Sequence, residues 1–261
     1  MNTIPTAPKP MPIWQSVLYT AIPAGLAYIA MWFATPAIKD RFGQPFLVGY
    51  LICWFTTELL IFSAALLAFR LENPGTGWQG FKLRYRLARP GWGDIAWAMG
   101  TLVGMVIAYA ALAFTAKWLA TIPAFAPHPA FPPELRPGAE QSLVPGVFMG
   151  MPLKGEWWVL VIYLAGWLLN IFGEELWFRG FMLPRQESRH GRATWLVNGI
   201  CFTLFHTMWK WNLMALFPGS LILSYVSQRR RSTWISIIAH GLLNLSTTLV
   251  VAAGVAGWSV A

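Results

Sequence analysis

A glutamate pair, Glu174-Glu175, sits near the end of an otherwise apolar run from Trp157 to Leu183, with Arg179 one helical turn beyond it. A charged side chain at the centre of a membrane helix costs about 2.5–3.5 kcal/mol on insertion scales, so two adjacent carboxylates there point to a use. Two further apolar runs each carry a histidine with a partner four residues away, Phe202 to His206 and His240 to Asn244. Carboxylates, imidazoles, a guanidinium and an amide are the groups from which a hydrolytic site is built: a base for water and donors for developing negative charge.

Helical geometry separates the two glutamates. Arg179 stacks on the face of Glu175 at i+4, whereas Glu174 points to a neighbouring face, with Asn170 and Phe178 a turn to either side. Glu175 therefore gains a cationic partner and Glu174 is left as the candidate base. The bland alternatives are a solvated pair at a helix end with a snorkelling arginine, a histidine satisfied by a backbone carbonyl, and an asparagine acting as interhelical glue. Trp177, Phe178, Phe181 and Met182 carry the apolar run past the pair and argue for depth. Three runs that each bear polar groups at one-turn spacing argue for a common site. His128 and His190 read as ordinary exposed histidines, and Glu58 as a lone intramembrane acid with no evident partner. A metal reading also stands: Glu174, His206 and His240 would make an open three-ligand zinc site, although no His-Glu-x-x-His helix is present.

The elements that must position these groups are membrane helices. Of 261 residues, 56% are hydrophobic and 11% charged, with 16 tryptophans and a mean hydropathy of +0.51. Soluble domains carry about 45–50% apolar and about 25% charged residues, so the composition excludes one and predicts an all-α polytopic bundle. Seven apolar runs are candidates to span, at 13–35, 46–69, 95–120, 157–183, 193–209, 212–227 and 233–256. Gly254 and Gly257 could divide the last and raise the count to eight, and Pro23 and Pro218 could kink their helices. The chain divides into a leader at 1–12 and one transmembrane domain at 13–261, with no secretory signal evident. Cys53 and Cys201 fall in apolar runs and read as small buried hydrophobes.

The net charge of +9 would suggest nucleic acid in a soluble protein, but the basic residues lie in short gaps between apolar runs. With the N-terminus inside, Lys9, the group from Arg70 to Arg89, the group from Arg185 to Arg192, and Arg229 to Arg231 place twelve cations on the cytoplasmic side against six on the other. That balance predicts a cytoplasmic N-terminus, with a lipid bilayer rather than nucleic acid as the partner. The stretch from Phe81 to Leu87 alternates apolar with basic and predicts a short strand or interfacial segment. Residues 122–156, rich in Pro and Gly, form an irregular external loop, either capping the bundle or a plain linker. With no organelle signal in view, the bacterial inner membrane is the expected location.

At the motif residues the chain resembles the CAAX-processing and bacteriocin-processing (Abi) intramembrane protease family, which includes the Rce1 prenyl-protein endopeptidases. Glu174-Glu175-Leu176-Trp177-Phe178-Arg179, Phe202-Thr203-Leu204-Phe205-His206 and His240-Gly241-Leu242-Leu243-Asn244 follow the family's three motifs in order and spacing, over about residues 157–250. The resemblance implies a helix bundle with a cavity open toward the cytoplasm, and cleavage of a membrane-associated peptide or protein, prenylated or not. It implies Glu174 as the base that activates water, His206 as its helper, His240 and Asn244 as oxyanion donors, and Glu175 with Arg179 as their support. It further implies a glutamate-type protease with no obligatory cofactor, zinc being the alternative. A different class, an immunity factor or peptide binder of the same fold, and a third, proton-coupled transport through Glu58, Glu174 and the histidines, remain as rivals. Thirteen residues separate His206 from the start of its run and seven separate His240 from the start of its own, which sets them at different depths unless a helix tilts.

Overall fold

The computed structural model describes residues 7–138 and 145–258; the first half of the predicted leader, part of the Pro-rich loop and the last three residues of the transmembrane domain lie outside that description. The described chain is an all-α bundle. Helix α1 (Ile13–Ile29) passes through a π-helical stretch at Ala30–Ala34 into α2 (Thr35–Phe42), and α3 (Phe46–Glu72) is followed by the short α4 (Trp78–Arg84). Then come α5 (Trp92–Leu112) and α6 (Phe114–Ala120). The loop holds two 3-10 turns and a two-residue hairpin of β1 (Val147–Phe148) and β2 (Met151–Pro152), paired antiparallel. Helix α7 (Trp157–Glu175) runs through a π-helical stretch at Leu176–Met182 into α8 (Leu183–His190). The chain ends with α9 (Thr194–Phe205), a 3-10 link at His206–Asn212, α10 (Leu213–Arg230) and α11 (Thr233–Ala256).

Runs long and apolar enough to cross a membrane are Ile13–Phe42, Phe46–Glu72, Trp92–Leu112, Thr233–Ala256 and the long Trp157–Arg230, which comprises α7 to α10. Their outer faces carry Ile107 at 64% and Leu249 at 60% exposure, which water would penalise and lipid tails accept. Trp14, Trp92 and Trp157, all exposed, lie at helix ends, where an indole suits the headgroup boundary. The protein is an integral membrane protein.

Several expectations are corrected here. The segment from Phe81 to Leu87 is mostly helix rather than strand. Its pattern also places Phe81 and Tyr85 one turn apart, their rings stack at 4.7 Å, and Tyr85 Oη donates to Ala65 O at 2.6 Å. A lone strand would leave its backbone groups unpaired, which a helical turn satisfies internally. The third run breaks at Ala113 into α5 and α6. The last run is not divided: α11 continues through Gly254 and stops at Gly257, whose φ of 70° forms a left-handed cap. Gly254 is there for close approach, since a Cβ would lie 2.6 Å from Leu153 Cδ1 and 2.7 Å from Pro145 O. Pro23 and Pro218 lie inside α1 and α10. His128 is half-buried, edge-on to Trp32 at 5.8 Å, and His190 is half-buried too. The Pro-rich loop caps the bundle, burying Phe131, Leu135, Phe148 and Leu153 in a second apolar cluster.

Candidate functional site

Helix α7 brings the glutamates in on its last turn. Small residues let α3 lie close along it: a Cβ on Gly173 would sit 3.2 Å from Glu58 O and 3.3 Å from Phe62 N. Immediately after Glu175 the helix widens into the π-helical stretch, an irregularity often found at functional positions. Through it Arg179 still reaches back to Glu175, Nη1 to Oε1 at 3.1 Å, with both side chains fully buried. Arg179 also lies over the Phe202 ring at 3.8 Å, and its Nη2 donates to Ser224 Oγ at 3.4 Å. From there hydrogen bonds continue from Ser224 to Asn198 and from Asn198 to Gln186, and Gln186 donates to Ser16. The arginine thus ties the π-helical stretch to α10, and the polar chain reaches α9, α8 and α1.

Glu174 faces another way. Its Oε1 accepts a short hydrogen bond from Asn170 Nδ2, and its Oε2, which has no hydrogen-bond partner, faces His206 Nε2 at 3.9 Å. His206 is the first residue beyond α9, and its Nδ1 lies 2.8 Å from Phe202 O. A carbonyl oxygen only accepts, so Nδ1 carries a proton, and in the neutral imidazole Nε2 presents its lone pair toward Glu174. On α11, His240 Nδ1 lies 2.9 Å from Glu175 Oε1, and Asn244 Nδ2 lies 3.1 Å from His240 Nε2. The same amide nitrogen donates to Asn170 Oδ1 at 3.0 Å. The histidines, drawn at different depths in the sequence, both meet the Phe202 ring edge-on, His206 at 4.8 Å and His240 at 5.8 Å.

Glu174, His206, His240 and Asn244 line one cavity of about 730 Å³. Glu58 lines it as well, and it has a partner after all: Asn170 Nδ2 donates to its Oε1 at 3.2 Å. Asn170 and Glu58 are what sequence reading missed or ranked low. The available signal was an amide one turn before Glu174 in an apolar run; Asn198 and Ser224 offered only the weaker signal of a polar residue inside such a run. The cavity does not run toward the arginine clusters. Its wall continues to Lys117, Glu134 and Arg136, and none of Arg185, Arg189, Arg192 or Arg229 to Arg231 lines it. The reason is packing: on the arginine side Phe81, Tyr85, Phe178, Phe181 and Met182 fill the space in the main apolar core.

Residues 156–246 match the family model of the type II CAAX prenyl endopeptidases, Rce1-like. That stretch is similar to the family. No curated protein and no solved structure matches the chain. The Rce1-like match supports the resemblance read from the three motifs, which all fall inside it, and implies a hydrolase role of the CAAX-type intramembrane protease kind.

Proposed function

We propose that the chain is an intramembrane endopeptidase that hydrolyses an amide bond of a membrane-associated peptide or protein, prenylated or not, with Glu174 as general base. The supporting observation is the 3.9 Å gap between Glu174 Oε2 and His206 Nε2, two acceptors facing each other across the wall of a large cavity. A water in that gap gives one hydrogen to each acceptor and turns its oxygen lone pairs to the substrate. The oxygen attacks the scissile carbonyl carbon as Glu174 takes the proton. The C–N bond then breaks, and Glu174 passes that proton to the leaving amine nitrogen. Negative charge gathers on the carbonyl oxygen, for which Asn244 is the proposed donor, oriented by His240, whose Nε2 accepts one of its N–H groups; such a donor is worth about 10²–10³ in rate. At rest both are engaged with each other and with neighbours, so a bound substrate must compete for an Asn244 N–H. Glu175 and Arg179 hold His240 from behind.

The proposed chemistry needs no resident metal. His240 spends both ring nitrogens on Glu175 and Asn244. The proposed location is the bacterial inner membrane, N-terminus in the cytoplasm. The test uses the purified protein in nanodiscs with a panel of prenylated and unmodified peptides, cleavage being read by mass spectrometry. Wild type cleaves at one bond, and Glu174→Gln loses about 10²–10⁴ of the rate while inserting normally. Phenanthroline leaves the wild-type rate unchanged, and the protein carries well under one zinc per chain. Wild-type turnover by Glu174→Gln removes this base from the mechanism. Stoichiometric zinc that switches activity off on removal and on with return makes Glu174, His206 and His240 ligands instead.

A further inference from the structure

Asn170 is hydrogen-bonded on every side. Its Nδ2 serves two carboxyl groups, Glu58 Oε1 at 3.2 Å and Glu174 Oε1, while its Oδ1 accepts from Asn244 Nδ2 at 3.0 Å. An amide has two chemically opposite ends that swap on a half-turn, and what fixes the orientation is the partners on each side. Here two carboxyl oxygens demand the N–H₂ end and one N–H demands the oxygen. Glu58 is the partner that comes from outside the three motifs, on α3, and it is 2% exposed in the heart of a membrane helix. The site's arginine is taken by Glu175, so Glu58 is not held there as half of a salt bridge. The close contact at Gly173 sets the α3 backbone at the height where the Glu58 side chain reaches Asn170.

We propose that Glu58 is a positioning residue of the hydrolytic site: it locks the Asn170 amide so that Glu174 turns Oε2 to the cavity and Asn244 keeps its orientation. This rests on the reading of Glu174 as the base. With Oε1 of Glu174 occupied by Asn170, only Oε2 is left to face His206. Removing the Glu58 acceptor leaves one Asn170 N–H unpaired in an apolar setting, so the amide shifts toward another partner. That shift pulls on its two remaining contacts, to Glu174 and to Asn244. The base and the donor are thereby disturbed together, through one amide. Glutamine at position 58 still offers Oε1 to Asn170, so the role requires an acceptor rather than a charge.

The experiment compares Glu58→Leu, Glu58→Gln, Asn170→Leu and the double Glu58→Leu/Asn170→Leu protein in nanodiscs for kcat, KM and Tm. Glu58→Leu is expected to lower kcat about 10–100-fold at unchanged KM, about the loss expected for a catalytic group held out of line. Glu58→Gln restores most of that loss, and the double variant loses no more than Asn170→Leu alone. Additive losses in the double variant, a Glu58→Gln protein as slow as Glu58→Leu, or a Glu58→Leu protein with wild-type kcat overturns the proposal. Should Glu58→Leu fail to insert, Glu58→Gln and Asn170→Leu still decide it: retained kcat in the first with a lost kcat in the second is expected, equal loss in both overturns it. A structure of Glu58→Leu, or of Asn170→Leu in that event, separates this proposal from the protease reading. Displacement of Glu174 Oε2 beyond about 6 Å from His206, too far for one bridging water, supports positioning even if no peptide is cleaved. An unmoved Glu174 beside a working wild-type enzyme sinks positioning alone.

Discussion

Glu174 and Glu175 are chemically identical and differ only in what surrounds them. Glu175 is fully buried against Arg179 and His240, whereas Glu174 has one oxygen tied to Asn170 and one facing the cavity. Truncating one partner of a buried ion pair leaves the other charge uncompensated, at a cost of about 3–5 kcal/mol. Arg179→Met is therefore expected to depress Tm sharply in detergent, and Glu175→Gln nearly as much. The double variant Glu175→Gln/Arg179→Met should regain a large part of that stability but not activity, because His240 has then lost its ionised acceptor. Thermal unfolding followed by tryptophan fluorescence, with peptide cleavage measured on the same samples, checks it. A double variant no more stable than either single one would mean that Arg179 matters for its contacts with Phe202 and Ser224 instead.

At the scale of elements, the site depends on how closely α3 can approach α7. Gly166 and Gly173 stand seven residues apart on α7, and both face α3: a Cβ on Gly166 would lie 2.6 Å from Trp54 Cζ3, and one on Gly173 would press on backbone. A tryptophan ring can shift, whereas the backbone of a 27-residue helix cannot yield locally. Gly173→Ala should therefore cost about 1–3 kcal/mol from overpacking. It should also slow cleavage, since it pushes Glu58 away from Asn170. Gly100→Ala on α5 is the control, because nothing lies within 4 Å of a Cβ there. It should be neutral or gain a few tenths of a kcal/mol up to about 1 from a stiffer unfolded chain. Equal behaviour of the two variants in cleavage and Tm would refute the close-approach argument.

For the whole molecule the decisive asymmetry is between its two ends. The arginine end is packed shut by aromatic side chains and by ion pairs in which Glu72 meets Arg84 and Arg185, while Arg86 meets Glu187. At the other end the cavity wall reaches Lys117, Arg136 and Gly138, all exposed. In the proposed orientation that mouth lies on the external side. Single cysteines test this in a Cys53→Ala/Cys201→Ala background: an impermeant maleimide on intact cells should label Arg136→Cys and spare Arg189→Cys until the membrane is opened. The reverse pattern would invert the proposed topology and turn the cavity to the cytoplasm.

Much of this protein is written locally in its chain. Apolar runs of membrane length, cations in the gaps and tryptophans at run ends specify helices in a bilayer, because a backbone in lipid has no other partner for its polar groups. One-turn spacing alone fixed that Arg179 would reach Glu175 and that Asn170 would lie beside Glu174. The boundaries at Ala113, Gly257 and the helical 78–84 segment were not legible, since each depends on what packs across from it. Nor was the partner of Glu58, which sits 112 residues from Asn170 and meets it only because Gly173 lets two helices touch. The direction of the cavity was likewise decided in three dimensions. Periodicity says which face of a helix is apolar, but only the assembled bundle says which end the aromatic side chains fill and which end they leave open.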